Sequence, residues 1–285
     1  MPPFKEGSFQ LPEAAFEGLG SYSRTTHSYP EGAAIVHDIT PPNAIGQPLL
    51  VAQGFGIFNP VVGRSEVIAS NRIRAITPAI DVAKGRGVKR DNKGYYNNFT
   101  PEILMRSTIL ANVAKEYGLQ GGKGYGISGG ALDLAMAALI SDSFDHIVLG
   151  SPGAVELPPH VVVARWSLDK LQALKQNGWG LEGANTGEVA HYLRRNIPCR
   201  VGEIRGIAKA NLIDVILKLN KKGVGVSAIV AQEDNLFRYS EMEAALKDLK
   251  DGGHAFPFKH YEVVPGGHEE PNDFSRTRIA MQMLR

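Results

Sequence analysis

A serine among glycines, an acid after a strand and a late histidine are the residues of this chain whose types and spacing can do chemistry. Gly126-Ile127-Ser128-Gly129-Gly130 reads GxSxG. Small residues two before and two after a serine let a strand and a helix pass closely, so the hydroxyl on the sharp turn between them is pushed into the open. Such a serine attacks a carbonyl only with a base in hydrogen-bond reach and an acid to orient that base. VSAIVAQEDNLF places Asp234 directly after an apolar run, with Glu233 beside it as the rival acid. YEVVPGGHEEPNDF places His268 after another such run, on a glycine-rich loop before the last helix. The chain order is therefore Ser128, Asp234, His268.

Other readings of the same letters fare worse. Gly124-Tyr125-Gly126-Ile127-Ser128-Gly129 also satisfies GxGxxG, but a dinucleotide site wants an acid near the end of the next strand, and that strand ends in Leu149-Gly150-Ser151-Pro152. A phosphate loop would need Ser or Thr after Lys123 and a glycine at Tyr117, and has neither. His268-Glu269-Glu270 is not HExxH, because position 272 is Asn, and no metal site is expected. The basic residues Arg194, Arg195, Arg200, Arg205 and Lys209 read as a solvated helix face, with a surface that meets an anionic substrate as the alternative.

The elements that must position these residues alternate. GSYSRTTHS from Gly20 and AAIVHDI from Ala33 read as two antiparallel strands about the turn Tyr29-Pro30-Glu31-Gly32. Apolar strands follow at Pro48–Ala52, Ile73–Ile80, His146–Gly150, after Gly225 and after His260, with helices around Val62–Ala69 and from Thr100 to Tyr117. Thr100-Pro101-Glu102 supplies an N-cap, a first-turn proline and an early acid. Lys84–Asn98 reads as a polar loop. The fold class expected is α/β, a mostly parallel central sheet flanked by helices. Between Pro152 and Gly223 the pattern is helical without strands, longer than a simple crossover needs, and reads as an inserted helical cap over 152–223, with residues 1–151 and 224–285 forming the core.

With nucleophile, acid and histidine in this order at strand ends, the chain resembles the α/β-hydrolase fold proteins over nearly its whole length outside the cap. The resemblance implies an oxyanion hole with one donor at the Gly129 amide and a second at the Phe55 amide, in the loop Gln53-Gly54-Phe55-Gly56. That loop is similar to the family's His-Gly-aromatic loop, with Gln53 where histidine commonly stands. It further implies a serine hydrolase of an ester or related small-molecule acyl substrate, working through a covalent acyl-enzyme without a cofactor. Acyl transfer with the same residues, or ligand binding with little turnover, are the alternatives. Trp166 and Trp179 fall in the expected cap, where they either line a pocket or anchor the cap's own core.

Composition bounds the rest. The chain has 285 residues, 43% of them hydrophobic, and 31 basic against 29 acidic side chains leave a net charge of +2, too little for a nucleic-acid partner. A single cysteine, Cys199, excludes an intrachain disulfide and a CxxC pair. No signal-peptide core opens the sequence and no run reaches about 18 apolar residues, so a cytoplasmic protein without a membrane span is expected.

Overall fold

Strands buried on both faces should alternate between two cores, and those of this chain do. In the computed structural model, which describes residues 13–16, 18–54, 61–82, 99–153, 156–177, 197–268 and 274–285, Leu50 and Ala52 enter one apolar cluster while Leu49 and Val51 enter another. Ile147 and Leu149 likewise face the first cluster and Val148 the second; Val226, Ala228 and Val230 oppose Ile229 in the same way.

Eight strands form one sheet: β1 (Ser21–Tyr29), β2 (Gly32–Thr40), β3 (Leu49–Ala52), β4 (Ala75–Val82), β5 (Gly122–Ile127), β6 (Phe144–Gly150), β7 (Gly225–Ala231) and β8 (Tyr261–Val264). Their spatial order is β1-β2-β4-β3-β5-β6-β7-β8. β1 and β2 form an antiparallel hairpin that pairs Tyr29 with Gly32, and β2 meets β4 antiparallel. From β4 to β8 every pairing is parallel. The mostly parallel sheet expected from the strand and helix alternation is thus the sheet observed.

Among the described residues there are eight α-helices: α1 (Val62–Ser70), α2 (Pro101–Glu116), α3 (Gly129–Ile140), α4 (Pro159–Asn177), α5 (Ile197–Lys209), α6 (Leu212–Lys222), α7 (Tyr239–Asp251) and α8 (Phe274–Met283). α2, α3 and α6 bury Leu110, Leu134 and Ile216 on one face of the sheet. α1 and α8 bury Ile68 and Met281 on the other. Thr100 is the N-cap of α2, yet its hydroxyl donates to the Gly202 carbonyl at 3.0 Å instead of capping, which ties α2 to α5.

Of the segment 152–223, α6 packs into the main core through Leu212, Ile213, Val215, Ile216 and Leu219. α4 and α5 instead share a small separate cluster, in which Val162, Ala208 and a half-buried Trp166 meet Leu236 and Phe237 from the loop after β7. The polar loop read at Lys84–Asn98, and Trp179, Arg194 and Arg195, lie outside the described residues.

Candidate active site

β5 delivers Ser128 to a turn that ordinary residues avoid. Its φ of 54° and ψ of −124° put a non-glycine residue outside the regions open to L side chains, and α3 starts at the next residue. The sheet holds it there, because the Ser128 N–H donates to the Gly150 carbonyl of β6 at 2.9 Å. Two flanking glycines are obligatory by contact. A Cβ at Gly126 would stand 2.7 Å from the Gly130 carbonyl oxygen, and one at Gly130 would stand 2.3 Å from that of Ala52. The hydroxyl makes no cap bond to its own helix.

It bonds to histidine instead. His268 Nε2 lies 2.8 Å from Ser128 Oγ, and Nδ1 of the same ring lies 2.8 Å from Asp234 Oδ2. The other oxygen of Asp234 accepts the backbone N–H groups of Leu236 and Phe237, each at 2.8 Å. An ionised carboxylate only accepts, so Nδ1 carries the ring proton and Nε2 presents a lone pair to the serine hydroxyl. Asp234 and His268 are each 4% exposed, so water competes little for these bonds. Phe237 further limits the ring, meeting it edge-on at 5.5 Å between centroids.

The rival acid lies apart: Glu233 is exposed, and its N–H donates to Gly266. Gly129 occupies the first position of α3, where a helix amide has no acceptor inside its own helix. Phe55 lies outside the described residues. Gln53, where the resemblance would put a histidine, is buried, and Arg64 of α1 donates to its Oε1 at 3.4 Å. The Arg64 guanidinium also lies 6.0 Å from the centre of the Tyr125 ring on β5. Trp166 joins the small α4–α5 cluster beside the loop that carries Asp234.

Two arginines near the site escaped the reading of the sequence. Arg165 of α4 grips Glu241 of α7 with both nitrogens, at 3.0 and 2.8 Å, and also reaches the Leu236 carbonyl at 3.3 Å. Arg276 of α8, 2% exposed, donates to the carbonyls of Gly267 and His268 and to Ser151 Oγ. The sequence of α8 gives no clear signal for Arg276, which shares the buried face of that helix with Thr277, Ala280 and Met281. Among the described residues no three His, Cys, Asp or Glu side chains come together as metal ligands.

No protein-family model matches the chain, and no curated protein matches its sequence. Solved structures do. MGS-M2, an alpha/beta hydrolase enzyme from a Medee basin deep-sea metagenome library, is similar with a TM-score of 0.63 at 11% identity, over 90% of this chain and 96% of that one. Naproxen esterase from Bacillus subtilis is similar with a TM-score of 0.56 at 13% identity, over 96% and 95%. Epoxide hydrolase VrEH1 from Vigna radiata gives 0.55 at 10% identity, over 94% and 98%. Sheet order, helix layers and these likenesses agree: the chain has the α/β-hydrolase fold.

Proposed function

We propose that this protein is a serine hydrolase acting on an ester or related acyl compound of small-molecule size through a covalent acyl-enzyme. The observation that carries the reading is the unbroken line of hydrogen bonds from Ser128 through His268 to Asp234, starting at a serine held in a left-handed turn. His268 Nε2 takes the hydroxyl proton as Ser128 Oγ attacks the substrate carbonyl, and Asp234 stabilises the imidazolium that forms. The tetrahedral oxyanion turns toward the Gly129 amide and, in this proposal, the Phe55 amide. His268 then gives its proton to the leaving group, and water activated by the same ring releases the acyl group. α4 and α5 serve as a cap beside the site, with Trp166 anchoring the cap to the acid loop.

The fold alone does not select the reaction, since structures with esterase and epoxide hydrolase in their names share it. The serine chain favours acyl chemistry, and an esterase among the similar structures makes esters the first substrates to try. The test is a fluorophosphonate probe followed by peptide mapping, with Ser128→Ala and His268→Ala alongside. A single adduct on Ser128 that requires His268 is expected, together with hydrolysis of p-nitrophenyl esters. Folded protein that takes up no probe and cleaves no ester sinks the reading.

A further inference from the structure

The base of this site hangs on a loop, and a loop base needs something to hold it. Residues 265–268 follow β8 without regular structure, so the position of the His268 ring relative to Ser128 depends on what grips that backbone. The grip comes from α8, on the opposite face of the sheet from the serine's own helix. The Arg276 guanidinium donates one nitrogen to the His268 carbonyl at 2.9 Å and to Ser151 Oγ at 3.0 Å, and the other to the Gly267 carbonyl.

Ser151 makes this more than a local tie. It is 1% exposed, sits just past β6 and has a φ of 45°, so it too is held in the left-handed region at some cost. Its own N–H donates to the Ile229 carbonyl of β7, the strand that leads to Asp234, at 2.8 Å. Its neighbour Gly150 accepts the Ser128 N–H at 2.9 Å. One short stretch, Gly150-Ser151, therefore contacts the backbone of the serine, the strand of the acid and, through Arg276, the loop of the histidine.

We infer that Arg276, acting with Ser151, is a positioning residue that fixes the His268 ring against Ser128 and Asp234. The inference rests on the serine hydrolase reading above for its kinetic consequence, but its structural content stands apart from it. Arginine suits such a brace, because a planar fork with five N–H donors can serve acceptors in several directions at once, and a lysine ammonium cannot reach all of them. Positioning at this level matters because misplacing a reacting group by about 1 Å can cost about 10²-fold in rate.

The test uses the full chain with Arg276→Met, Arg276→Lys and Ser151→Ala, each checked for folding by thermal unfolding. Rates of Ser128 modification by the fluorophosphonate, its final stoichiometry, kcat and KM for a p-nitrophenyl ester across pH, and the low-field NMR signal of the His268 Nδ1 proton are recorded. The signal is assigned by its loss in His268→Gln. Arg276→Met should lose about 10²-fold in kcat and labelling rate with KM changed less than about twofold, reach full probe stoichiometry, and lose the signal. Arg276→Lys should fall between it and wild type. A merely structural role would instead lower the labelled fraction while the remaining molecules react at the normal rate, and that result overturns the inference. If Arg276→Met does not fold, folded Arg276→Lys and Ser151→Ala proteins that keep wild-type rates and signal overturn it equally. Wild-type protein inert to the probe, whose His268 signal still vanishes in Arg276→Met, would remove the hydrolase reading and leave the positioning role standing.

Discussion

Asp234 is the residue on which sequence and geometry differ most in what they can say. From the letters alone Glu233 and Asp234 are adjacent carboxylates after the same strand; in space only Asp234 reaches the His268 ring, at 2.8 Å, while Glu233 faces solvent. In the proposed mechanism its role is orientation through a tautomer, which makes a sharp expectation. Asp234→Asn would offer an amide N–H where an acceptor is needed, turning the imidazole so that Nε2 carries the proton. Ester turnover should fall by about 10³–10⁴-fold with little loss of stability, since the backbone donors of Leu236 and Phe237 can still bond the amide oxygen. Stopped assays at equal folded concentration measure it, and a variant within about tenfold of wild type would remove Asp234 from the mechanism. The turn that carries Ser128 and the loop that carries His268 were legible for a local reason: GxSxG and the glycine loop before a helix are turn chemistry, written in a few consecutive residues. Arg276 was not, because its partners lie on two other chain segments.

The elements show the same division. The strands of the parallel sheet other than β5, whose sequence GKGYGI is no apolar run, were readable from apolar runs, and α2 from its proline and acid, whereas the fate of the helices after β6 depends on what each packs against. α5 is bound to the core by charge as well as contact. Arg106 of α2 meets Asp133 of α3 at 2.7 Å and Glu203 of α5 at 3.4 Å, all three buried, and burial pushes the Asp133 carboxyl up against the opposing pull of the guanidinium. Removing the cation leaves two buried carboxylates facing each other, and Arg106→Met should destabilise the protein by about 3–5 kcal/mol. Without the guanidinium the Asp133 carboxyl takes up a proton more readily when folded than when unfolded, so the deficit should be smaller near about pH 5 than near about pH 8. Urea denaturation at the two pH values tests both parts. A deficit that does not change with pH would mean that the carboxylates have other partners.

At the scale of the whole molecule, one buried histidine far from the site in role links stability to pH. His146 of β6 donates to or accepts from Ser227 Oγ of β7 at 2.8 Å, and its pKa is pushed down to about 4, first by burial and then by the charges of Lys259, His260 and Lys123. The ordinary value is 6.5, so between 4 and 6.5 the unfolded chain holds a proton that the folded chain does not. Global stability should therefore rise with pH through that window and fall as pH drops through it. His146→Gln removes the titration, so the variant should lose less stability than wild type between about pH 7 and about pH 4, and the two thermal unfolding curves should converge as the pH falls. Parallel curves would assign the acid sensitivity elsewhere. Among the described residues no helix is long and apolar enough to cross a membrane.

The sequence by itself determined the class of fold, the turn that exposes Ser128 and the chain order of serine, acid and histidine, because periodicity and turn sterics act over a few neighbouring residues. Tertiary structure alone decided which carboxylate meets the histidine, that α6 belongs to the core, and that Arg276 and Ser151 brace the loop. Those outcomes depend on contacts between residues as far apart in the chain as Ser151 and Arg276, 125 positions. No local pattern encodes a distance of that kind; it exists only when the sheet brings the ends of β5, β6, β7 and β8 side by side.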